Sequence, residues 1–264
     1  MERYDGRIVL VTGACGGIGA AISRRFAAAG ASLALCDIRE QELDQLSDEL
    51  TSVGTTVHRA MVDVTDESSV SSFCRSVGSD LGGLDVLINT VGVVDDVGSV
   101  VDLPSAGWDR SIAVNLTSAF LMAKHSVPLM DGRDGAVIAN ISSVSGLANQ
   151  ADAMVYSVTK AGLISLTKSE AIDLAPRGIR AVAICPGSVE TALVEQAILQ
   201  MAKTTGISPA EQRRTWESQY PAARFSTPEE VADLTLFLCS DRARNVTGSA
   251  TIIDGGLTAL LPER

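Results

Sequence analysis

Two hydrophobic rhythms alternate along the whole chain. Seven short runs are almost continuously apolar: RIVLVTG (7–13), SLALCDI (32–38), TTVHRAMVDV (55–64), LDVLINTVG (84–92), GAVIANISS (135–143), IRAVAICPG (179–187) and SATIIDGG (249–256). Most of them end in Gly, Asp, Asn or Ser. Between them apolar residues recur at helical spacing, as at Ile22, Phe26 and Ala29, or at Leu43, Leu46 and Leu50. A strand that is apolar at successive positions has both faces buried, so helices must cover its sheet on both sides. The pattern predicts a single-domain α/β fold over residues 1–264: a doubly wound, seven-stranded parallel sheet without repeat or linker. The longest break in the rhythm is 191–227, where two short helices fit. An insertion after the sixth strand of such a sheet lies over the crevice at the strands' carboxyl ends. It is expected to act as a substrate lid, although a plain surface pair of helices fits the same residues.

Composition narrows the partners. The 264 residues are 46% hydrophobic, and Gly (23) outnumbers Pro (8), which is globular and not disordered. A net charge of −11 argues against nucleic acid or an anionic membrane as the main partner, since both are polyanions. No stretch approaches the ~18 apolar residues of a membrane span. The apolar run after the N-terminus is too short for a secretory signal and reads as a first strand. Cys15, Cys36, Cys74, Cys185 and Cys239 are odd in number and never spaced as CxxC, so a disulfide framework or metal site is not expected. The expected location is the cytoplasm.

Three local features carry chemistry. The first run leads into TGACGGIG, whose Gly13, Gly17 and Gly19 let the backbone turn sharply and approach a pyrophosphate at the N-terminus of the next helix. A tight strand-to-helix turn with no ligand would use glycine as well. The second run ends at Asp37, 18 residues past Gly19, where a carboxylate receives the two ribose hydroxyls of an adenosine and repels a 2′-phosphate. That favours NAD over NADP; Arg39 softens the repulsion, and Asp37 as a cap of the next helix is the plainer alternative. Third, VYSVTK places Tyr156 and Lys160 four residues apart, one helical turn. An ordinary amphipathic pair has this spacing. So does a phenol whose pKa an ammonium lowers until it exchanges protons near neutrality. His58 and His125 have no acidic or nucleophilic partner in a recognisable pattern and are read as structural.

Taken in order, these residues resemble the short-chain dehydrogenase/reductase family over essentially the whole length. T-G-x-x-x-G-x-G is present as TGACGGIG (12–19), followed by Asp37, DV (63–64), NTVG (89–92), Asn115, Ser143, Tyr156-x-x-x-Lys160, PGSVET (186–191) and TGSATIIDGG (247–256). Thr90 and Val91 depart from the family's usual Asn and Ala. The resemblance implies a Rossmann fold, a nicotinamide cofactor, an alcohol or ketone as small-molecule substrate, and commonly a homotetramer. It implies that Gly13, Cys15, Gly17, Ile18, Gly19, Asp37 and Ile38 bind the cofactor, with Asp63 and Val64 at the adenine. Asn89, Val91, Gly92, Tyr156, Lys160, Pro186, Gly187, Val189 and Thr191 complete that set.

For the chemistry, Tyr156 is the expected acid/base, Lys160 tunes it and holds the nicotinamide ribose, and Ser143 hydrogen-bonds the substrate oxygen. Asn115 is expected to bind a water linking Lys160 to solvent; a buried amide that bends its helix is the alternative. Ser143, Ser145, Asn149, Gln150 and Tyr156 are expected to meet the substrate, with Val93, Val94, Val155, Ser188 and the lid as further wall. An NADP(H)-dependent carbonyl or 3-oxoacyl reductase is the nearest rival. A nucleotide-binding protein without the chemistry would be expected to have lost Tyr156, Lys160 or Ser143, and all three are present.

Overall fold

The structure, a computed structural model, describes residues 3–94 and 96–260. Seven parallel strands form one sheet in the order β3-β2-β1-β4-β5-β6-β7. They are β1 (Ile8–Thr12), β2 (Ser32–Asp37), β3 (Val57–Met61), β4 (Val86–Asn89), β5 (Val137–Ile141), β6 (Arg180–Pro186) and β7 (Ser249–Ile253). Alternate residues of each strand feed opposite faces. Val9, Val11, Leu33, Leu35, Ile88 and Ile184 pack under α1 (Gly17–Ala28), α2 (Glu40–Ser52) and, later in the chain, α9 (Pro228–Cys239). Leu10, Ala34, Leu87 and Ile138 face the other way, against α3 (Glu67–Leu81) and α5 (Ser118–Ser126). Both faces being dry explains why the central strands read as unbroken apolar runs. The edge strands β3 and β7 are only half-buried.

The order reverses between β1 and β4, which opens a crevice at their carboxyl ends. Thr12, Asn89 and Asn140 are register partners along that end of the sheet. Three later segments border it. The helix leaving β4 is interrupted: α4 (Ser105–Ile112) and α5 are joined by a π-helical turn, Ala113–Thr117. Helix α6 (Met154–Asp173) carries Tyr156 and Lys160. The stretch 191–227 contains α7 (Ala192–Thr205) and α8 (Pro209–Glu217). Among the described residues no helix is long and apolar enough to cross a membrane.

Candidate active site

The glycine-rich turn is shaped by close approaches. Gly13 has φ +60°, and a Cβ on Gly19 would collide with the Gly13 carbonyl oxygen. A Cβ on Gly17 would lie 2.6 Å from Cγ2 of Thr191, the N-cap residue of α7. Helix α1 starts here with no side-chain cap and no acid in its first turn, so its first N–H groups and positive dipole end are left for an anion. Bare backbone in this position, with a carboxylate at the end of the next strand, fits the pyrophosphate and ribose of a dinucleotide. The Thr90 departure is accommodated: its hydroxyl donates to the Thr12 carbonyl and its N–H to Thr12 Oγ1 (3.2 Å), tying β4 to β1.

Asp37 is 6% exposed. Its carboxylate accepts the N–H groups of Cys15 (3.0 Å) and Arg39 (3.1 Å) and both arms of the Arg39 guanidinium (3.2 and 3.3 Å). Burial opposes its ionisation, but the bonds from Arg39 and Cys15 outweigh burial and hold its pKa below the ordinary value. Helix α2 has Arg39, not Asp37, as its N-cap residue. Arg39 also reaches Glu42 (2.7 Å), so its charge is shared between two carboxylates. The Cys15 thiol, pushed up to about 12 by burial and by Asp37, is un-ionised at neutral pH. Next to Asp37, Ile38 is 67% exposed; Asp63 is exposed with its Oδ1 engaged by Thr65, and Val64 is buried. Asn89 turns its amide into the sheet, donating to Asn140 Oδ1 (2.8 Å), while Asn140 Nδ2 donates to Oε2 of the buried Glu170 (2.8 Å).

The catalytic candidates meet where β5 gives way to α6. Ser143 opens a 3₁₀ turn, Val144–Gly146, and that turn lies directly on the backbone of α6. A Cβ on Gly146 would sit 2.7 Å from the carbonyl of Lys160, and Ser142 Oγ donates to the same carbonyl (2.8 Å). The serine segment is thereby pinned one turn from Tyr156. Ser143 and Tyr156 line one and the same cavity, and the Ser143 hydroxyl itself accepts Ser145 N–H (3.0 Å). Lys160, 4% exposed, places Nζ 5.6 Å from the centre of the Tyr156 ring and donates to the Ile141 carbonyl (3.0 Å). A Cβ on Gly92 would lie 3.3 Å from that Nζ, which sets β4's exit loop against the lysine; Val91 beside it is half-buried.

The electrostatics differ from the simple expectation. Burial raises the Tyr156 pKa, partly offset by the nearby Ser143 hydroxyl, and burial pushes Lys160 down to about 8. One-turn spacing alone therefore does not make the phenol acidic: the site solvates charge poorly, and desolvation is the largest influence on both groups.

Asn115 occupies the π turn and is 1% exposed. Its amide accepts Val93 N–H (2.7 Å) and donates to Val93 O (2.9 Å) and Thr159 Oγ1 (3.2 Å). The side-chain amide is thus clamped across the 92–94 loop. The widened helical turn is the device that aims it there.

Tyr156 and Ser143 open onto a cavity of about 300 Å³ that reaches back to Ile18, Pro186, Gly187, Val189 and Thr191. Val94, Ser145, Gln150 and Ser188 line it as expected from sequence, whereas Val155 is wholly buried and Asn149 is exposed outside the lining. Val93, also absent from the lining, is taken up by Asn115. The 191–227 segment, expected as further wall, contributes Leu193, Val194 and Ala197 on α7, Trp216 on α8 and Tyr220, residues that the sequence did not name individually; Leu257, outside that segment, was not foreseen. The i, i+4 apolar pair Leu193/Ala197 was the available signal. Tyr220 holds the 186–188 turn in place, accepting Ser188 N–H (3.0 Å) and donating to Ser188 Oγ (2.7 Å).

The histidines do have acidic partners, contrary to expectation. His58 lies between Ser76 (2.9 Å) and Asp80 (3.1 Å) and stacks on Phe73; His125 meets Glu67 (2.9 Å). Neither lines the cavity. No cluster of potential metal ligands occurs among the described residues.

A doubly wound sheet, an uncapped glycine-rich helix start at its switch point and a Ser–Tyr–Lys set beside a cavity describe a nicotinamide-type oxidoreductase. The chain belongs to the short-chain dehydrogenase/reductase family. Residues 13–258 match the family profile described as enoyl-(acyl carrier protein) reductase. Cis-4-hydroxycyclohexanecarboxylate dehydrogenase of Sinomonas cyclohexanicum is 37% identical over 262 residues, 98% of this chain and 99% of that one. The 3-oxoacyl-(acyl-carrier-protein) reductase FabG of Thermotoga maritima is 36% identical, covering 97% of this chain and 99% of its own. Among solved structures, levodione reductase superposes with a TM-score of 0.92 at 28% identity, over 98% of this chain and all of that one.

Proposed function

We propose that the protein is an NAD-dependent oxidoreductase that exchanges a hydride between a secondary alcohol or ketone and the nicotinamide, with Tyr156 as acid/base. The observation that carries the reading is that Ser143 and Tyr156 share one cavity with Ile18 and Thr191, with Lys160 Nζ 5.6 Å from the centre of the Tyr156 ring. A bound nicotinamide supplies the hydride donor or acceptor. The chain's own residues do the rest. Tyr156 takes the hydroxyl proton of the alcohol or returns it to the ketone. Ser143 donates to the substrate oxygen as charge develops on it. Lys160 holds the ribose and contributes positive charge, and Asn115 fixes the loop beside it.

Gly13, Cys15, Gly17, Ile18 and Gly19 form the pyrophosphate cradle, with Thr191 closing it. Asp37 accepts the ribose hydroxyls; Ile38, Asp63 and Val64 flank the adenine. Asn89, Val91, Gly92, Pro186, Gly187 and Val189 wall the nicotinamide end, and α7–α8 act as the lid. Ser145 and Gln150 face the substrate. The rival NADP(H)-dependent 3-oxoacyl reductase draws on the FabG relative and on Arg39, and the buried charge of Asp37 weighs against it.

A homotetramer in the cytoplasm completes the proposal. Phe120 (49% exposed) on α5, Ile172 (73%) on α6 and Ile252 (46%) on β7 are large apolar residues left in water, which a neighbouring subunit would cover. The five cysteines are free, as suits a reducing compartment. The decisive experiment is a panel of secondary alcohols with NAD, followed by Tyr156→Phe. The variant is expected to lose more than about tenfold in kcat, or ~1.4 kcal/mol of transition-state stabilisation, while binding NADH as before. Retained turnover removes Tyr156 from the chemistry.

A further inference from the structure

Among the described residues, none that lines the cavity carries a formal charge. We infer that the substrate is a neutral compact alicyclic or branched alcohol or ketone, and that the site discriminates against carboxylates and other anions of the same shape. The inference rests on the oxidoreductase reading and deepens it. The wall opposite Tyr156 is Leu193, Val194, Ala197, Trp216 and Leu257, a surface that removes a ring from water but offers an anion nothing. The polar groups that remain are neutral: Ser145, Gln150 and Ser188, with Ser188 Oγ already accepting from Tyr220. These suit a hydroxyl, ketone, ether or ester.

The cations nearby are committed elsewhere. Arg213 on α8 faces Glu217 (3.1 Å), Glu190 (3.9 Å) and Glu195, and lies over the Phe225 ring (5.5 Å). Lys160 is tied to the Ile141 carbonyl beneath Tyr156. The charged neighbours of lining residues in the chain are mostly acidic: Asp152, Glu190, Glu195 and Glu217. An anion would therefore enter a largely apolar pocket without a partner among the described lining residues, where desolvation goes uncompensated. The relative named for a hydroxycyclohexanecarboxylate shares 37% of the sequence, which leaves room for the wall residues to differ.

The test pairs methyl cis-4-hydroxycyclohexanecarboxylate with its free acid, two ligands of one shape that differ in charge. Calorimetric titration into the NADH-loaded protein reads binding, and oxidation with NAD and with NADP reads turnover. The ester is expected to bind at least about tenfold more tightly and to be the better substrate. In Leu193→Arg, a replacement at a 45% exposed position, affinity for the acid should rise and the preference should shrink or invert. Equal or tighter binding of the acid by the natural chain overturns the inference, as does failure of both to bind. Tight ester binding without oxidation by either cofactor upholds the neutral pocket and refutes the oxidoreductase reading instead.

Discussion

The proposed preference for NAD rests on Asp37, and binding alone can test it. In the proposed complex the adenosine ribose of NADH would present two hydroxyls to a carboxylate that is already held by two backbone N–H groups. Hydrogen bonds to a charged group contribute ~1.5–3 kcal/mol each when the partner is lost. NADPH replaces one hydroxyl by a phosphate. Two unit negative charges 4 Å apart at an effective dielectric constant of 20 repel by ~4 kcal/mol. Arg39 returns part of this, but it is 44% exposed and shared with Glu42, which limits its contribution. The net preference for NADH should be ~3–4 kcal/mol, on the order of a hundredfold or more in Kd.

Replacing Asp37 by Ala deletes attraction and repulsion together and frees Arg39. NADH should then weaken by about 10- to 100-fold while NADPH holds or tightens. Adding Arg39→Ala should remove any gain in NADPH. Titration of nicotinamide fluorescence for the three proteins with both reduced cofactors gives all the numbers without a substrate. A natural chain that prefers NADPH, or a ratio unmoved by Asp37→Ala, refutes the assignment and leaves Asp37 as a carboxylate that merely organises the β2–α2 turn.

Three further outcomes are expected. Gly146→Ala puts a methyl group against the backbone of α6, which cannot rotate aside; it should lower stability by ~1–3 kcal/mol and drag Ser143 off its position, reducing kcat more than NADH affinity. An unchanged melting temperature would show that the turn rides freely on the helix. Glu170, 7% exposed with Oε1 unpartnered, has its pKa raised to about 7 by burial, so the folded state binds the extra proton and its stabilisation is fully present below the ordinary 4.5 and lost as pH rises through about 7. Glu170→Gln should therefore be the more stable protein at pH 8, by up to ~3 kcal/mol, and flatten the fall of thermal midpoint between pH 5 and 8; parallel pH profiles would contradict this. Sedimentation at micromolar concentration should give a tetramer, and Phe120→Glu with Ile172→Glu should dissociate it; a natural chain that sediments as a monomer removes the proposed assembly.

What the sequence made legible follows from where tertiary context adds nothing. The central strands were readable because a parallel sheet covered on both faces demands apolar residues at successive positions, and β1, β2, β4, β5 and β6 are buried throughout or nearly so. The third run extends past its strand at both ends: Val62 and Val64 are buried as β3 leaves the sheet, so burial outlasts pairing. The Tyr156 and Lys160 spacing translated directly because both sit on one helix. Features that join distant segments did not translate. The π turn at Ala113–Thr117 accompanies Asn115's three bonds to Val93 and Thr159, residues 22 and 44 positions away. The cavity wall unites α7, α8, Tyr220 and Leu257, whose only shared mark in sequence is being apolar or aromatic. The histidine partners come from helices whose rotation relative to β3 or α5 no periodicity specifies.

The two readings of this site support each other through one physical quantity, the poor solvation of charge beside Tyr156. Burial raises the phenol and lowers Lys160 to about 8, so neither group ionises as easily here as in water. In such a medium any added charge is felt strongly: at 5 Å and an effective dielectric constant of 20, one unit charge is worth ~3 kcal/mol, or roughly two pKa units on the phenol. A cationic nicotinamide moves Tyr156 in the direction that proton abstraction requires. A carboxylate on the substrate at a similar distance moves it back by as much and cancels the activation. A pocket that uses a buried phenol as its proton carrier, with one lysine near neutrality as support, therefore works best when the substrate brings no negative charge. The uncharged residues that α7 and α8 lend to the cavity, Leu193, Val194, Ala197 and Trp216, would meet that condition, and on the proposed reading they would favour proton transfer through the anions they exclude.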